Sequence, residues 1–251
     1  LKVGLIGSGS RGPGAAVNAM NADPRVKLVA MGDLFMDRVK ASRENLLRIG
    51  RAKEQKFTAG QVAVDDDHCF AGFDNYQKVI ASGVELVLIA CASKFHAMYA
   101  KAAIDAGKHV FVEKPHAIDP PGVRTVLAGA AEAKKKGLCY ASGLMSRYHP
   151  GVREAAERVL DGQIGEVIAI EVNFLRSPYQ VIDPKPGWSE LDYQCRNWYH
   201  FTWLSGDDVP QSLVHNIDRV AMATAEQIPV KCHGLGGRST SINCRYGDVF
   251  D

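Results

Sequence analysis

Short apolar runs alternate with stretches of helical period along the first half of the chain. The runs fall at 2–6, 26–32, 84–90 and 108–113, with a weaker one at 138–142, and their length suits strands buried on both faces. Between them the apolar residues keep to one side. In 122–136, Val123, Val126, Leu127, Ala130 and Ala131 recur at i, i+3, i+4, i+7 and i+8, and Lys134, Lys135 and Lys136 close the last turn, where cations suit the helix dipole. This pattern predicts βαβ units: a parallel sheet with surface helices lying on it.

Past residue 145 the pattern changes. A helical segment near 151–160 leads through Asp161-Gly162 to Glu166-Val167-Ile168-Ala169-Ile170-Glu171-Val172-Asn173-Phe174, whose partial alternation predicts a strand in a sheet with one covered face. A long irregular stretch, 175–208, is rich in Pro, Gly, Trp and Tyr, and loops of that length usually carry function. A helix is expected over 211–224 and a strand-like segment at 229–233.

Composition narrows the function classes. The 251 residues are 46% hydrophobic and 23% charged, which is ordinary for a globular chain of one large or two modest domains. With 30 Lys+Arg against 28 Asp+Glu the net charge is +2, so there is no electrostatic footprint for nucleic acid or an anionic membrane. No apolar run approaches the ~18 residues that span a bilayer. Cys69, Cys91, Cys139, Cys195, Cys232 and Cys244 form no C-x-x-C pair and no zinc spacing with histidine, so they read as small buried hydrophobes and no metal is expected.

The first strand runs directly into Gly7-Ser8-Gly9-Ser10-Arg11-Gly12, a G-x-G-x-x-G that opens a helix carried by Ala15, Ala16, Val17, Ala19 and Met20. The first glycine permits the turn, the second admits a pyrophosphate to the backbone, the third allows close helix–strand packing, and free N–H groups at the helix start meet the phosphates. Asp33 closes the second strand, at the distance from the motif where a carboxylate accepts ribose hydroxyls. It would repel a 2′-phosphate, which favours NAD over NADP; Arg38 keeps NADP open, and Asp33 as a cap of the helix starting near Met36 is the plainer alternative.

After the strand 108–113 stands Glu113-Lys114-Pro115, which puts a lysine at the carboxyl edge of the sheet, where doubly wound folds bind ligands. With the glycine motif and the lead-in Gly107-Lys108-His109-Val110-Phe111-Val112, this segment resembles the Gfo/Idh/MocA family of sugar and cyclitol oxidoreductases. The resemblance implies a Rossmann domain over 1–143, followed over 144–251 by an α+β substrate domain with a mainly antiparallel open sheet and a homo-oligomer, dimer or tetramer. It also implies that Lys114 bonds the reacting hydroxyl and helps move its proton, that Pro115 is cis, and that Glu113 lies at the cofactor. His96, in Ser93-Lys94-Phe95-His96, resembles the family's histidine after the fourth strand, and a cofactor contact and a packing role stand open for it.

On a helix over 211–224, Gln211, His215, Asp218 and Met222 share a face with Arg219 at its border, while Leu213, Ile217, Val220 and Ala221 form an apolar stripe expected to pack on the domain. Histidine beside an acid is a common proton-transfer device, so His215 is a second catalytic candidate. The family places an acid four residues before this histidine; here it is Gln211, which cannot accept a proton at pH 7. Asp218 is expected to orient substrate or His215, or to pair with Arg219.

Arg147-Tyr148-His149-Pro150 and Arg196-Asn197-Trp198-Tyr199 mix rings with guanidinium and amide groups, a combination suited to a sugar; a satellite hydrophobic cluster or a subunit interface is the alternative for the rings. Asn197-Trp198-Tyr199, Thr202 to Asp207 and His215-Asn216-Ile217-Asp218 resemble an environmental-bacterial branch whose members often carry a twin-arginine signal. That implies export to the periplasm after removal of a leader, and otherwise a cytoplasmic protein. The expected activity is NAD-dependent dehydrogenation of a sugar, cyclitol or glycoside hydroxyl. The alternatives are a redox-neutral NAD-using glycosidase or lyase and a non-catalytic nucleotide sensor.

Overall fold

The computed structural model describes residues 1–52, 56–177 and 179–236; Cys244 and the last fifteen residues assigned to the second domain lie outside them. The chain divides into two compact units, Leu1–Ser142 and a second from Gly143 onward.

The first unit runs β1 (Lys2–Ile6), α1 (Arg11–Ala22), β2 (Lys27–Asp33), α2 (Met36–Gly50), β3 (Cys69–Ala71), α3 (Asn75–Ala81), β4 (Leu86–Ile89), α4 (His96–Asp105), β5 (His109–Val112), α5 (Pro120–Lys135) and β6 (Tyr140–Ser142). The six strands form one sheet in the order β3-β2-β1-β4-β5-β6, and every ladder is parallel. That order reverses beside β1, the switch point at which doubly wound sheets open a ligand crevice.

Strand alternation sends neighbouring residues to opposite cores. Leu5 and Leu88 join Ala16, Met20, Leu28, Val39 and Leu46 on one face, while Ile6, Val87 and Ile89 join Val79, Tyr99, Ile104 and Val110 on the other. The helix expected over 122–136 forms as α5, but its buried positions are Gly129 and Ala133, and Val123 and Leu127 of the expected stripe are exposed. Small residues let α5 lie close, and α4 turns Ala100 and Ala103 to the same core as Ala133. β3 is only three residues long and α3 seven, too short to show a period in the sequence.

The second unit corrects the expected architecture. Among its described residues there are helices α6 (Pro150–Leu160), α7 (Glu190–Arg196), α8 (Thr202–Ser205) and α9 (Val214–Ala223), and no strand, so the antiparallel open sheet is not observed. The runs 166–174 and 229–233 are irregular and largely exposed, with Ile168 at 85% and Val230 fully open. A strand needs a neighbour to take its N–H and C=O groups, and an alternating sequence alone supplies none. The stretch 175–208 is not all loop, since α7 begins on a Ser189–Asp192 capping box and α8 ends on the left-handed Gly206.

Candidate active site

Because all strands are parallel, everything that follows β1, β2, β4 and β5 gathers at one sheet edge. Gly7 turns the chain there at φ +98°, and a Cβ on it would come within 2.4 Å of the Cys91 nitrogen, so the loop lies directly on the end of β4. Gly12 packs as tightly: its Cβ would sit 1.8 Å from the Gly7 carbonyl oxygen. Gly9 is different, for a Cβ there would meet nothing within 4 Å. Ser10 precedes α1 without a side-chain cap, and the first turn of that helix carries no acid. Open space at Gly9 and uncapped N–H groups fit a dinucleotide pyrophosphate.

Asp33 is buried at the end of β2. Its Oδ2 accepts the Ser8 N–H at 2.8 Å and its Oδ1 the Phe35 N–H at 3.1 Å, so the carboxylate braces the glycine loop. Burial raises the pKa of this carboxyl, against the Phe35 and Ser8 N–H groups and the nearby Arg38 charge. The Arg38 guanidinium lies 5.2 Å from the Phe35 ring centre. Ser42, in the apolar stripe of α2 with Val39 and Leu46, donates to the Ser8 carbonyl at 2.6 Å. It was not among the sequence candidates; a serine at a stripe position was its only signal.

Glu113 follows β5 and is buried, with its Oε1 taking the Arg11 Nε–H at 2.7 Å. Lys114 is half-buried beside it, and the Lys114–Pro115 peptide is cis, as the family resemblance implied. His116, a second residue not anticipated, places Nε2 2.6 Å from the Ser142 hydroxyl; its place next to the lysine motif was the available signal. His96 is buried with both ring nitrogens on backbone carbonyls, Nδ1 2.6 Å from Pro115 O and Nε2 2.9 Å from Cys91 O. Burial lowers its pKa to about 4, so the ring is neutral near pH 7.

In the second unit the 211–224 segment does not divide into a buried apolar stripe and an open polar face: Leu213, Val220 and Ala221 of the expected stripe are half-buried, as are His215 and Met222 of the polar face. Gln211, Ser212, Asn216 and Asp218 are buried while Ile217 is 48% exposed. Gln211 Nε2 donates to Ser205 O, Asn216 Nδ2 to Asn173 O at 2.8 Å, and Asp218 Oδ1 accepts Arg147 Nε at 2.6 Å, while the buried Asp218 Oδ2 has no hydrogen-bond partner among the described residues. A π-helical turn, Val209–Leu213, precedes α9 and breaks the regular spacing assumed between Gln211 and His215. It follows two left-handed residues, Gly206 and Asp207.

Asp218 therefore pairs with Arg147 and not with Arg219, which reaches Ser146 and Asn216 instead. Arg147 also forks onto Glu226 at 2.7 Å, so both of these substrate candidates are engaged with protein groups. His215 is half-buried, its ring near-parallel to Phe174 at 6.4 Å. Tyr148 is exposed. The Arg196 guanidinium lies 4.6 Å over the Trp188 ring. Tyr199 is sandwiched between Trp198 at 3.8 Å and Tyr179 at 4.0 Å, and Arg176 covers the Tyr179 ring at 3.6 Å. Both faces of the Tyr199 ring are thus occupied by protein, which removes it as a platform for a sugar.

Of the cysteines, Cys69 and Cys195 are buried, whereas Cys139 and Cys232 are exposed, against the uniform burial expected. Among the described residues no cluster of His, Cys, Asp and Glu could hold a metal, and no helix is long and apolar enough to cross a membrane.

The family described as an oxidoreductase family with an NAD-binding Rossmann fold matches residues 1–142, the whole of the first unit. The chain belongs to the Gfo/Idh/MocA family. This family member is 28% identical to dTDP-3,4-didehydro-2,6-dideoxy-alpha-D-glucose 3-reductase of Actinomadura kijaniata over 195 residues, 78% of this chain and 49% of that protein. It is also 28% identical to inositol 2-dehydrogenase of Klebsiella pneumoniae, over 98% of this chain and 69% of the relative. A solved 3-ketoreductase from Actinomadura kijaniata, in complex with NADP and TDP-benzene, matches with a TM-score of 0.62 at 22% identity over 89% of this chain and 57% of that one, a likeness of fold. The chain spans about half the length of the first curated relatives it matches.

Proposed function

We propose that this Gfo/Idh/MocA member is an NAD-dependent oxidoreductase acting on a sugar or cyclitol hydroxyl. The observation that carries the reading is the shared sheet edge, where the Gly7–Gly12 loop, Asp33 and Lys114 follow three parallel strands. The glycine loop would hold the pyrophosphate on the N–H groups of α1, and Asp33 the ribose hydroxyls. Bound nicotinamide supplies the redox chemistry. Lys114 Nζ binds the reacting oxygen and takes its proton, with His215 proposed as a second proton carrier. NAD is favoured because a 2′-phosphate would meet the Asp33 carboxylate; NADP, present in the related ketoreductase structure, would have to find its charge partner in Arg38.

The test is to incubate the protein with NAD or NADP and a panel of sugars, cyclitols and aryl glycosides, following NADH absorbance and released aglycone together. Substrate-dependent NADH that disappears in Lys114→Ala supports the dehydrogenase. Aglycone release without NADH moves the assignment to a redox-neutral glycosidase. NAD binding with silence in both channels moves it to a nucleotide sensor.

A further inference from the structure

Lys114 stands where the chain leaves the sheet. The β4–β5 ladder runs to Ile89↔Val112, and the Glu113 N–H still reaches Ile89 O at 2.8 Å. One residue later the backbone turns through the cis Lys114–Pro115 peptide. On the far side of that turn is His96, the first residue of α4 and only 1% exposed. Its Nδ1 approaches Pro115 O at 2.6 Å and its Nε2 approaches Cys91 O at 2.9 Å. A neutral ring donates to only one of the two carbonyls, and with its N–H on Pro115 O it ties the turn after β5 to the start of α4, the helix that the segment after β4 leads into. The same segment is the floor on which Gly7 packs, so the ring links the glycine loop's seat to the lysine's turn.

We propose that His96 is a positioning residue for Lys114, setting the place of the lysine's amine through the Pro115 carbonyl without touching substrate or cofactor. A neutral ring carries one N–H, and the shorter contact gives it to Pro115, which makes Nδ1 the donor. An apolar side chain of the same size would leave buried carbonyls facing hydrocarbon, and the turn would relax toward any other donor. Small displacements of a proton-transfer group are expensive: about 1 Å costs on the order of a hundredfold in rate.

The role rests on the proposed use of Lys114 as the proton acceptor, and the test separates the two. His96→Leu removes both contacts, His96→Asn keeps a donor near the Nδ1 position, and His96→Gln keeps one near Nε2. For each, kcat and KM are measured on a substrate found in the panel, NAD binding by calorimetry, and the Lys114 amine by 13C NMR after reductive methylation, its resonance assigned by its absence in Lys114→Arg.

The expected result is a kcat about 10–100-fold lower in His96→Leu with NAD affinity held, a displaced Lys114 resonance, and recovery in His96→Asn but not in His96→Gln. An unmoved Lys114 resonance in His96→Leu overturns the proposal, as does equal loss in the Asn and Gln variants. If His96→Leu does not fold, the Asn and Gln pair decides. If the wild type turns over no member of the panel, the functional reading fails while the NMR comparison still decides the positioning.

Discussion

Arg11, inside the glycine motif, donates its Nε–H to the buried Glu113 carboxylate 2.7 Å away, joining the loop after β1 to the turn after β5. Arg11→Ala strips the partner from a buried carboxylate. It is expected to cost about 1–2 kcal/mol in urea unfolding, less than the ~3–5 of a fully buried pair because the arginine is half exposed. The double variant with Glu113→Gln should recover most of that loss. Equal stability of the single and double variants would show that the pair does not hold the loop to the turn.

The two motif glycines Gly9 and Gly12 should separate folding from binding. Gly12→Ala forces a methyl against the Gly7 carbonyl and should cost about 1–3 kcal/mol of stability. Gly9→Ala meets no protein atom, so its melting temperature should match the wild type while NAD affinity falls about tenfold or more. Unchanged NAD affinity in folded Gly9→Ala would remove the pyrophosphate from that position.

Asp33 is expected to set the choice of cofactor. The wild type should bind NAD more tightly than NADP, and Asp33→Ser should narrow the ratio by about tenfold. Calorimetric titration with both dinucleotides decides it, and equal wild-type affinities would reject the assignment.

Gln211→Glu should not restore the acid of the family pattern. The amide nitrogen donates to Ser205 O, and a carboxylate would set lone pairs against that carbonyl in a buried site. A loss of about 1–3 kcal/mol at neutral pH, easing in acid, is the expected outcome of denaturant titrations. A stabilised and more active variant would contradict it.

His96 also gives a pH signature. Its folded pKa lies near 4, below the ordinary 6.5, so the unfolded chain takes up the proton first as pH falls. The contribution of this group is complete above about pH 6.5, declines between 6.5 and about 4, and changes no further below that. His96→Asn should flatten this part of the stability profile; an unchanged slope would place the protonation elsewhere.

Most of the first unit was legible because its strands are buried on both faces and its glycine motif sits where only a turn can stand. Five of its six strands show as apolar runs, whereas Cys69–Ala71 is too short to form one. At the carboxyl edge of the sheet the places of Gly7, Gly9, Gly12 and Asp33 could be read from spacing. The contacts of Ser42, His96 and His116 could not, because they depend on which backbone carbonyl or hydroxyl folding brings within 3 Å. In the second unit periodicity misled. The 211–224 pattern assumes one regular helix, but a π-helical turn interrupts it, and Arg147 and the Ser205 and Asn173 carbonyls let Asp218, Gln211 and Asn216 be buried. The 166–174 alternation encodes a strand only if another backbone lies alongside.

The order in which the sheet is assembled has a consequence for synthesis. Its central strand, β1, leaves the ribosome first and its last edge, β6, ends at Ser142. By then every parallel ladder of the first unit has both of its strands. The nucleotide half has what it needs to fold while the remainder is still being translated, as domains made one after another generally do.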